Sequence, residues 1–221
     1  MKIDVLTLFP NMFTNVLGES MLKIAQKKKK VKIRIHNLRD WTNDRHKTAD
    51  DKPYGGGSGM VMKVEPICKA LTDIARKKTR IILLTPKGKR FNQEMAKELS
   101  CEKHVVCIAG HYEGIDERVK GFVTDEVSIG DYILTGGEIP AMVIVDAITR
   151  LIPGVLGGEG SLNEESFEKG HLEYPQYTRP RVFQSVPVPE VLLSGDHKRI
   201  KNWRKKKAIK IKPACGQTGR R

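Results

Sequence analysis

Glycine-bearing segments follow three apolar, β-prone runs in the middle of the chain. These segments are Thr85–Arg90, Gly110–Asp116 and Ser128–Glu138. Glycine lets backbone amides approach a flat ligand closely, although turn geometry alone is the more common reason for it. The chain has no G-x-G-x-x-G fingerprint, phosphate loop or zinc-ligand spacing. Considered alone, the glycine-bearing loops therefore do not indicate a particular chemistry.

Two charged residues, Arg150 and Glu165, have simple explanations when they are considered alone. Arg150 ends an apolar run and suits a helix C-terminus, where cations are favourable. Glu165 lies in a polar stretch and is typical of a solvated acid. The four cysteines lack C-x-x-C and metal-ligand spacing, so we expect free thiols in a reducing compartment.

Predicted strands and helices alternate around the glycine-bearing loops. The predicted strands are Lys2–Phe9, Val31–His36, Arg80–Leu84, His104–Ala109 and Val123–Val127. The predicted helices are Phe13–Ile24, Pro66–Ile74, Asn92–Leu99 and Pro140–Leu151, with Pro66 starting the second. This alternation predicts an α/β fold with a parallel sheet and helices on its faces. Ligands bind such sheets at loops leaving the C-terminal ends of strands, so the three loops are expected to converge.

Two further segments carry expectations of their own. The polar stretch Asn37–Met60, ending in YGGGSGM, is predicted to be a long mobile loop with a functional role. The helix Pro140–Leu151 is apolar nearly all round and must therefore be buried. Burial in the core and burial in a subunit interface fit this pattern equally well.

The charge of the chain points to a polyanionic partner. Forty Lys and Arg residues face 26 Asp and Glu, a formal charge of +14, and Asp196–Arg221 alone carries +10. We favour nucleic acid as the partner over a basic surface that serves solubility alone. The N-terminus lacks signal-peptide architecture and no apolar run could span a membrane. A cytoplasmic protein is expected.

The composition shifts after residue 156, which predicts three regions. Residues 1–156 form the α/β domain, residues 157–174 a polar and glycine-bearing linker, and residues 175–221 a small basic helical domain. The last contains a helix with Ile200, Trp203 and Ala208 on one face. The linker has little apolar material to pack and is expected to be mobile.

Six strings, in order along the chain, resemble the bacterial tRNA (guanine-N1)-methyltransferase family, TrmD. They are DVLTLFP, PYGGGSGMVM, GHYEGIDERV, SIGDYILTGGEIPAM, RLIPGVLG and YTRP. The resemblance extends to about Trp203. It implies a SPOUT-type parallel sheet with a trefoil knot, a rare exception to the absence of knots. It also implies a homodimer that methylates N1 of guanosine 37 in tRNA with S-adenosylmethionine, when a guanosine precedes the target.

The resemblance also implies which residues bind the methyl donor. They come from the three glycine-bearing loops, and are Leu84, Pro86, Gly110, Tyr112, Glu113, Gly114, Ser128, Ile129, Gly130, Tyr132, Ile133, Leu134, Gly136, Gly137 and Pro140. Apolar side chains would enclose the adenine, and close backbone approach would serve the ribose.

The reaction needs a base for the N1 proton and a donor for the charge developing on O6. By resemblance these are Glu165, where the family usually has Asp, and Arg150. His111 stands where the family usually has Arg. Family members are reported to need Mg²⁺, for which Glu113, Glu165 and Glu173 are candidate neighbours, although no metal pattern occurs in the sequence.

Two alternative functions stay open at the level of sequence. One is a methyltransferase of the same fold acting on another RNA. The other is a basic RNA-binding protein with a degenerate pocket, which would not bind S-adenosylmethionine.

Overall fold

The structure is a computed structural model that describes residues 1–156, 166–167 and 171–210. The chain divides into two compact units, Met1–Leu156 and Gly157–Arg221. The strands of the first unit are β1 (Lys2–Thr7), β2 (Lys32–Asn37), β3 (Asp50–Asp51), β4 (Val61–Met62), β5 (Arg80–Arg90), β6 (His104–Ile108) and β7 (Asp125–Ser128). Its helices are α1 (Thr14–Leu17), α2 (Ser20–Lys27), α3 (Val64–Ile74), α4 (Gln93–Ser100) and α5 (Glu138–Leu151), with 3₁₀ turns at Pro10–Phe13, Leu38–Trp41 and Glu117–Phe122.

Five strands form a central parallel sheet in the order β2-β1-β6-β5-β7, which confirms the predicted α/β class. Side chains alternate between the two faces of the sheet along each strand, so each face packs in a separate hydrophobic core. One core joins Ile3 and Val5 of β1 to the apolar faces of α2, α4 and α5. The other joins Leu6 and Leu8 to α3. The result is a three-layer arrangement whose loops lie at the two ends of the strands.

Several predicted boundaries are wrong for identifiable physical reasons. The predicted helix Phe13–Ile24 is two helices, because the chain is extended at Glu19 and Ser20 has a positive φ of 49°. The helix assigned to start at Pro66 starts at Val64, two residues earlier. In the predicted loop Asn37–Met60, Leu38–Trp41 is a 3₁₀ turn and β3 pairs with β4.

The segment Thr85–Arg90 is only partly a loop. β5 pairs with β7 up to Leu84, leaves it, and pairs again at Lys89, so that both residues face Val127. A Cβ on Gly88 would overlap the backbone of Val127, so glycine is needed where the chain returns to β7. The first glycine-bearing loop is thus an excursion from a continuous strand, anchored at both ends.

A buried polar network ties three neighbouring strands together. Asp4 of β1 is fully buried and accepts hydrogen bonds from His36 of β2 at 2.7 Å and His104 of β6 at 2.6 Å. Lys2 completes the cluster at 2.7 Å from Asp4. Burial alone would raise the pKa of Asp4, but the hydrogen bonds with His36, Lys2 and His104 outweigh it and lower the pKa to about 2. The carboxylate is therefore ionised and satisfied inside the fold.

The second unit is smaller and more open. Its described elements are β8 (His171–Leu172), β9 (Val182–Phe183), β10 (Val186–Pro187), α6 (Glu190–Leu193), α7 (His197–Lys207) and β11 (Ile209–Lys210). β8 pairs with β11 and β9 with β10, both antiparallel. Asp196 caps α7 by accepting hydrogen bonds from the backbone N–H groups of Lys198 and Arg199. Ile200 and Trp203 lie on the less exposed side of α7, and Ala208 is its C-terminal cap.

Candidate functional site

A cleft of about 410 Å³ opens where β6 and β7 end and where β5 leaves β7 after Leu84. This volume lies in the range of roughly 300–1,000 Å³ typical of small-molecule sites. Its walls are the excursion after Leu84, the loop after Ile108 and the loop between β7 and α5. The three glycine-bearing segments therefore converge on one cleft, as predicted.

The second and third loops are held against each other by backbone contacts. Gly137 N–H donates to the carbonyl of Gly110 at 2.6 Å, and His111 pairs with Gly136 as an isolated bridge. A Cβ on Gly137 would lie 2.8 Å from Ala109 Cα, closer than real Cβ atoms come to backbone. Glycine at this position is thus required for the two loops to meet and form the floor of the cleft.

The glycine-rich segment before β4 is tied to the second loop. Glu113 N–H donates to Met60 O, and Met62 N–H donates to Gly114 O, each at 3.0 Å. Gly59 has a φ of +82°, and a Cβ there would collide with the side chain of Glu113. This part of the segment Asn37–Met60 therefore supports one wall of the cleft.

A buried polar chain lies beneath the cleft. Glu138, the first residue of α5, is buried and accepts a hydrogen bond from Thr7 Oγ1 at 2.7 Å. Its other oxygen lies 3.3 Å from His111 Nδ1. The His111 ring packs against Phe9, with ring centroids 4.5 Å apart, and meets Tyr112 edge-on at 5.1 Å. These hydrogen bonds fix the start of α5 and the second loop relative to β1.

Two of the acids that line the cleft, Asp116 and Glu117, are paired with neighbouring cations. Asp116 accepts two hydrogen bonds from the Arg118 guanidinium, at 2.9 and 2.6 Å, which lower its pKa below the ordinary value of 3.8. A hydrogen bond from Lys120 likewise lowers the pKa of Glu117. Both carboxylates stay ionised at neutral pH and are engaged, so neither is positioned as a free base for chemistry in the cleft.

All fifteen residues predicted to hold the methyl donor line this one cleft. Tyr132 and Ile133 are largely exposed at its lip, whereas Leu84 and Ser128 are buried in its floor. Arg150 is in the last turn of α5, at the other end of that helix from the cleft. Glu165 lies outside the described residues. Of the predicted catalytic pair, Arg150 is thus separated from the cleft of its own chain.

Sequence reasoning missed several residues that the fold brings to the cleft. Lys87, His111, Asp116, Glu117, Lys120 and Thr135 line it, and Thr7 and Glu138 support it from below. Of these residues, only Glu138 could have been noticed in the sequence, because an acidic residue at the start of an apolar helix is favoured by the helix dipole. The partner Thr7 lies 131 residues away and gives no local signal.

The described residues contain no cluster of three or more His, Cys, Asp or Glu side chains able to hold a metal ion. Of the candidate Mg²⁺ neighbours, Glu113 lines the cleft, whereas Glu173 accepts a hydrogen bond from Ser166 N–H in the second unit. The described side chains therefore do not fit a resident Mg²⁺ site, and no step is assigned to a metal.

The second unit combines aromatic and cationic side chains. The Arg204 guanidinium lies 4.8 Å over the ring of Tyr174, and the rings of Tyr177 and Trp203 are 6.3 Å apart. Lys205, Lys206 and Lys207 are exposed in the last turn of α7. Aromatic faces interleaved with cations are typical of nucleic-acid contacts.

Fold and site define an α/β protein with a small-molecule cleft at the C-terminal ends of parallel strands and a second, basic unit. The chain belongs to the tRNA (Guanine-1)-methyltransferase TrmD family, whose model matches residues 1–213. It is 59% identical to a tRNA (guanine-N(1)-)-methyltransferase of Dictyoglomus turgidum over 95% of this chain and 86% of that protein. Proteins of the same name from Carboxydothermus hydrogenoformans and Bacillus cereus are 61% and 52% identical, over 83% and 88% of their lengths and 95% of this chain in each case. No helix in the described part of the chain is long and apolar enough to cross a membrane.

Proposed function

We propose that this protein transfers a methyl group from S-adenosylmethionine to N1 of guanosine 37 in tRNA, in the cytoplasm, as a homodimer of knotted SPOUT subunits. The observation that carries the proposal is the convergence of the fifteen matched residues on one cleft. The resemblance of the three loops and the names of the relatives support the substrate and the reaction. The family match also spans every loop that lines the cleft, which favours this function over the two alternatives.

The cleft is suited to a nucleoside-sized donor carrying an activated methyl group on a sulfonium sulfur. Its apolar residues, among them Leu84, Ile129 and Leu134, would enclose the adenine without charge. The close approach of the second and third loops at Gly137 brings backbone rather than side chains together at this part of the cleft, and backbone groups of these loops would bind the base edge and ribose. This chain's part in donor binding is thus shape and backbone hydrogen bonding.

Arg150 supplies the argument for a dimer. From Pro140, which lines the cleft, to Arg150 are ten residues of one helix, a rise of roughly 15 Å at 1.5 Å per residue. An arginine at that distance cannot reach a base held beside the donor in its own cleft. In a two-fold dimer each surface patch meets its own copy, so that Arg150 of one subunit can complete the cleft of the other.

The proton on guanine N1 must leave as the methyl group arrives, and this chain offers a carboxylate and a guanidinium for the task. We assign the base to Glu165 and the stabilisation of charge on O6 to Arg150. A positioned base contributes roughly 10²–10⁴-fold, and a donor aimed at developing charge acts only in the transition state. Residues 157–174 would form the lid that brings Glu165 to the guanine, and residues 175–221 would hold the tRNA.

The test of the function is methyl transfer to tRNA transcripts with and without guanosine at position 37. We expect 1-methylguanosine, identified by mass spectrometry of nucleosides, only in transcripts that carry guanosine 37. Calorimetric titration with S-adenosylmethionine separates the alternatives. A protein that does not bind the donor would be an RNA-binding protein, and a protein that binds it without modifying tRNA would act on another RNA.

Glu165→Gln tests the assignment of the base, because glutamine keeps size and hydrogen bonding but loses basicity. We expect the single-turnover rate to fall by about 10²–10⁴-fold while donor affinity is unchanged. Glu164→Gln, one residue earlier, is the matched control and should retain activity. Near-normal transfer by Glu165→Gln would move the assignment to Glu164.

A further inference from the structure

A dense group of cations lies on the first unit, outside the cleft and outside the basic second unit. Lys23, Lys27–Lys30, Lys32 and Arg34, here called the basic edge, are seven exposed cations within twelve residues that contain no acid. Within the described residues, the one ion pair they form is Lys23–Glu19, at 3.6 Å. The remaining six cations repel one another, with no carboxylate of the described residues in contact to compensate. An anionic partner would relieve that repulsion.

In the lysine run, Lys27–Lys30, Lys29 has a backbone conformation that is unfavourable for a residue with a side chain. α2 ends in a Schellman motif, in which Lys29 N–H donates to Gln26 O and Lys30 N–H donates to Ala25 O. Lys29 occupies the left-handed position of this motif with a φ of 55°. Glycine is the usual residue there, because a Cβ is disfavoured in that conformation. A solvated surface run serving solubility alone would gain from glycine at this position.

Protection of a sheet edge explains only part of the basic edge. Lysines on an edge strand discourage pairing with other chains, and Lys32 and Arg34 lie on β2, at the edge of the sheet. Lys27–Lys30 precede the strand and offer no such protection. They need a different explanation.

The lysine run packs beside the segment that follows α5. Lys28 Nζ donates to Gly154 O at 3.4 Å, and the Lys30 ammonium lies against the same glycine. Gly154 is four residues beyond Arg150, the residue assigned above to the reacting guanine. A nucleic acid presented to Arg150 would therefore bring its backbone phosphates towards these lysines.

We propose that the basic edge is a second tRNA-binding surface, which holds backbone phosphates of the substrate beside the Arg150 end of α5. The inference rests on the proposed function, because the partner is the tRNA that reaches Arg150. Lysine ammonium groups bind phosphates as point charges and release condensed counterions, so this surface adds affinity without sequence preference.

The test replaces three cations whose side chains form no hydrogen bond or ion pair within the described residues, in the variant Lys27→Gln, Lys29→Gly, Lys32→Gln. The matched control is Lys69→Gln, Lys77→Gln, Lys78→Gln, three exposed lysines on and just after α3, which packs on the opposite face of the sheet. Dissociation constants for a full-length tRNA transcript are measured from about 50 to 200 mM salt, with the thermal midpoint and S-adenosylmethionine affinity of each variant.

We expect the basic-edge variant to bind tRNA at least about tenfold more weakly. The slope of log K against log salt should fall by roughly 2–3, because each phosphate that a lysine neutralises contributes about 0.7–0.9 to it. KM for tRNA should rise with little change in kcat, donor affinity should be unchanged, and the thermal midpoint should not fall. Equal weakening in the two triple variants, or an unchanged salt slope in the first, would overturn the proposal. A parent protein that binds tRNA through the basic edge but methylates none would instead refute the proposed function.

Discussion

Asp4 shows what a single residue contributes to the sheet. Its folded pKa of about 2 lies below the ordinary value of 3.8, so the native state holds the ionised form more strongly than the unfolded chain does. That preference stabilises the fold above about pH 4 and is lost as pH falls through the folded pKa towards 2. The difference between the two pKa values corresponds to about 2 kcal/mol.

Asp4→Asn should therefore flatten the acid side of the stability curve. We expect the parent to lose about 2 kcal/mol of unfolding free energy between about pH 4 and 2 that the variant does not lose. At neutral pH the variant should be less stable by about 2–4 kcal/mol, because asparagine keeps only one acceptor oxygen, so that either His36 or His104 loses its hydrogen bond in a buried site. Urea unfolding at a series of pH values measures both effects. Asp40→Asn, an exposed carboxylate, is the control, and identical acid slopes for parent and Asp4→Asn would contradict the argument.

The helix α5 shows how an element can serve two surfaces. Ala141, Ile144, Val145 and Ile148 are completely buried in the core, whereas Ile139 and Val143 are 46% and 41% exposed. The apolar sequence of this helix fits burial in the core and burial in a subunit interface equally well. The structure places one side of the helix in the core. The exposed apolar side lies between the cleft and Arg150, which is where the proposed dimer needs a contact surface.

Val143→Asp should separate the proposed dimer. In an isologous interface the substitution places two carboxylates in apolar surroundings, so we expect the dimer dissociation constant to rise by at least roughly 100-fold. Sedimentation would then show the 24.9 kDa monomer, with methyl transfer falling in parallel. Val16→Asp is the matched control, because Val16 is 43% exposed on α1. A fully active monomer would rule out the interfacial site.

The same element scale separates what sequence could predict from what it could not. The apolar runs of β1, β6 and α5 depend on local composition, and their predicted ends lie within two residues of the observed ones. The return of β5 to β7 at Lys89 depends on a non-local pairing. The sequence therefore predicts a loop at Gly88, where the structure has a strand. The residues of the site likewise divide into those that local sequence could predict and those that it could not. The lining loops carried matching strings, whereas the Thr7–Glu138 bond joins residues that no local pattern connects.

At the scale of the whole molecule, much of the positive charge lies in two segments, the basic edge with seven Lys and Arg and Asp196–Arg221 with a net charge of +10. Lys205, Lys206 and Lys207 lie exposed on α7 in the second unit. We predict that replacing all three with Gln weakens tRNA binding and lowers the salt slope by roughly 2–3, since each neutralised phosphate contributes about 0.7–0.9. Calorimetry should show unchanged S-adenosylmethionine affinity. An unaltered tRNA affinity and slope would show that these lysines only solvate the surface.

Because β1 lies between β2 and β6, it cannot be paired on both sides until β6 has been synthesised. β2 follows β1 closely, but β6 begins at His104, about a hundred residues later. At a synthesis rate of about 5–20 residues per second, β1 waits roughly 5–20 s with one side unpaired. During that interval we expect Lys2 and Asp4 to be hydrated, and charge on an open strand discourages pairing with neighbouring chains. The carboxylate that stabilises the finished sheet is thus also expected to protect the unfinished edge during translation.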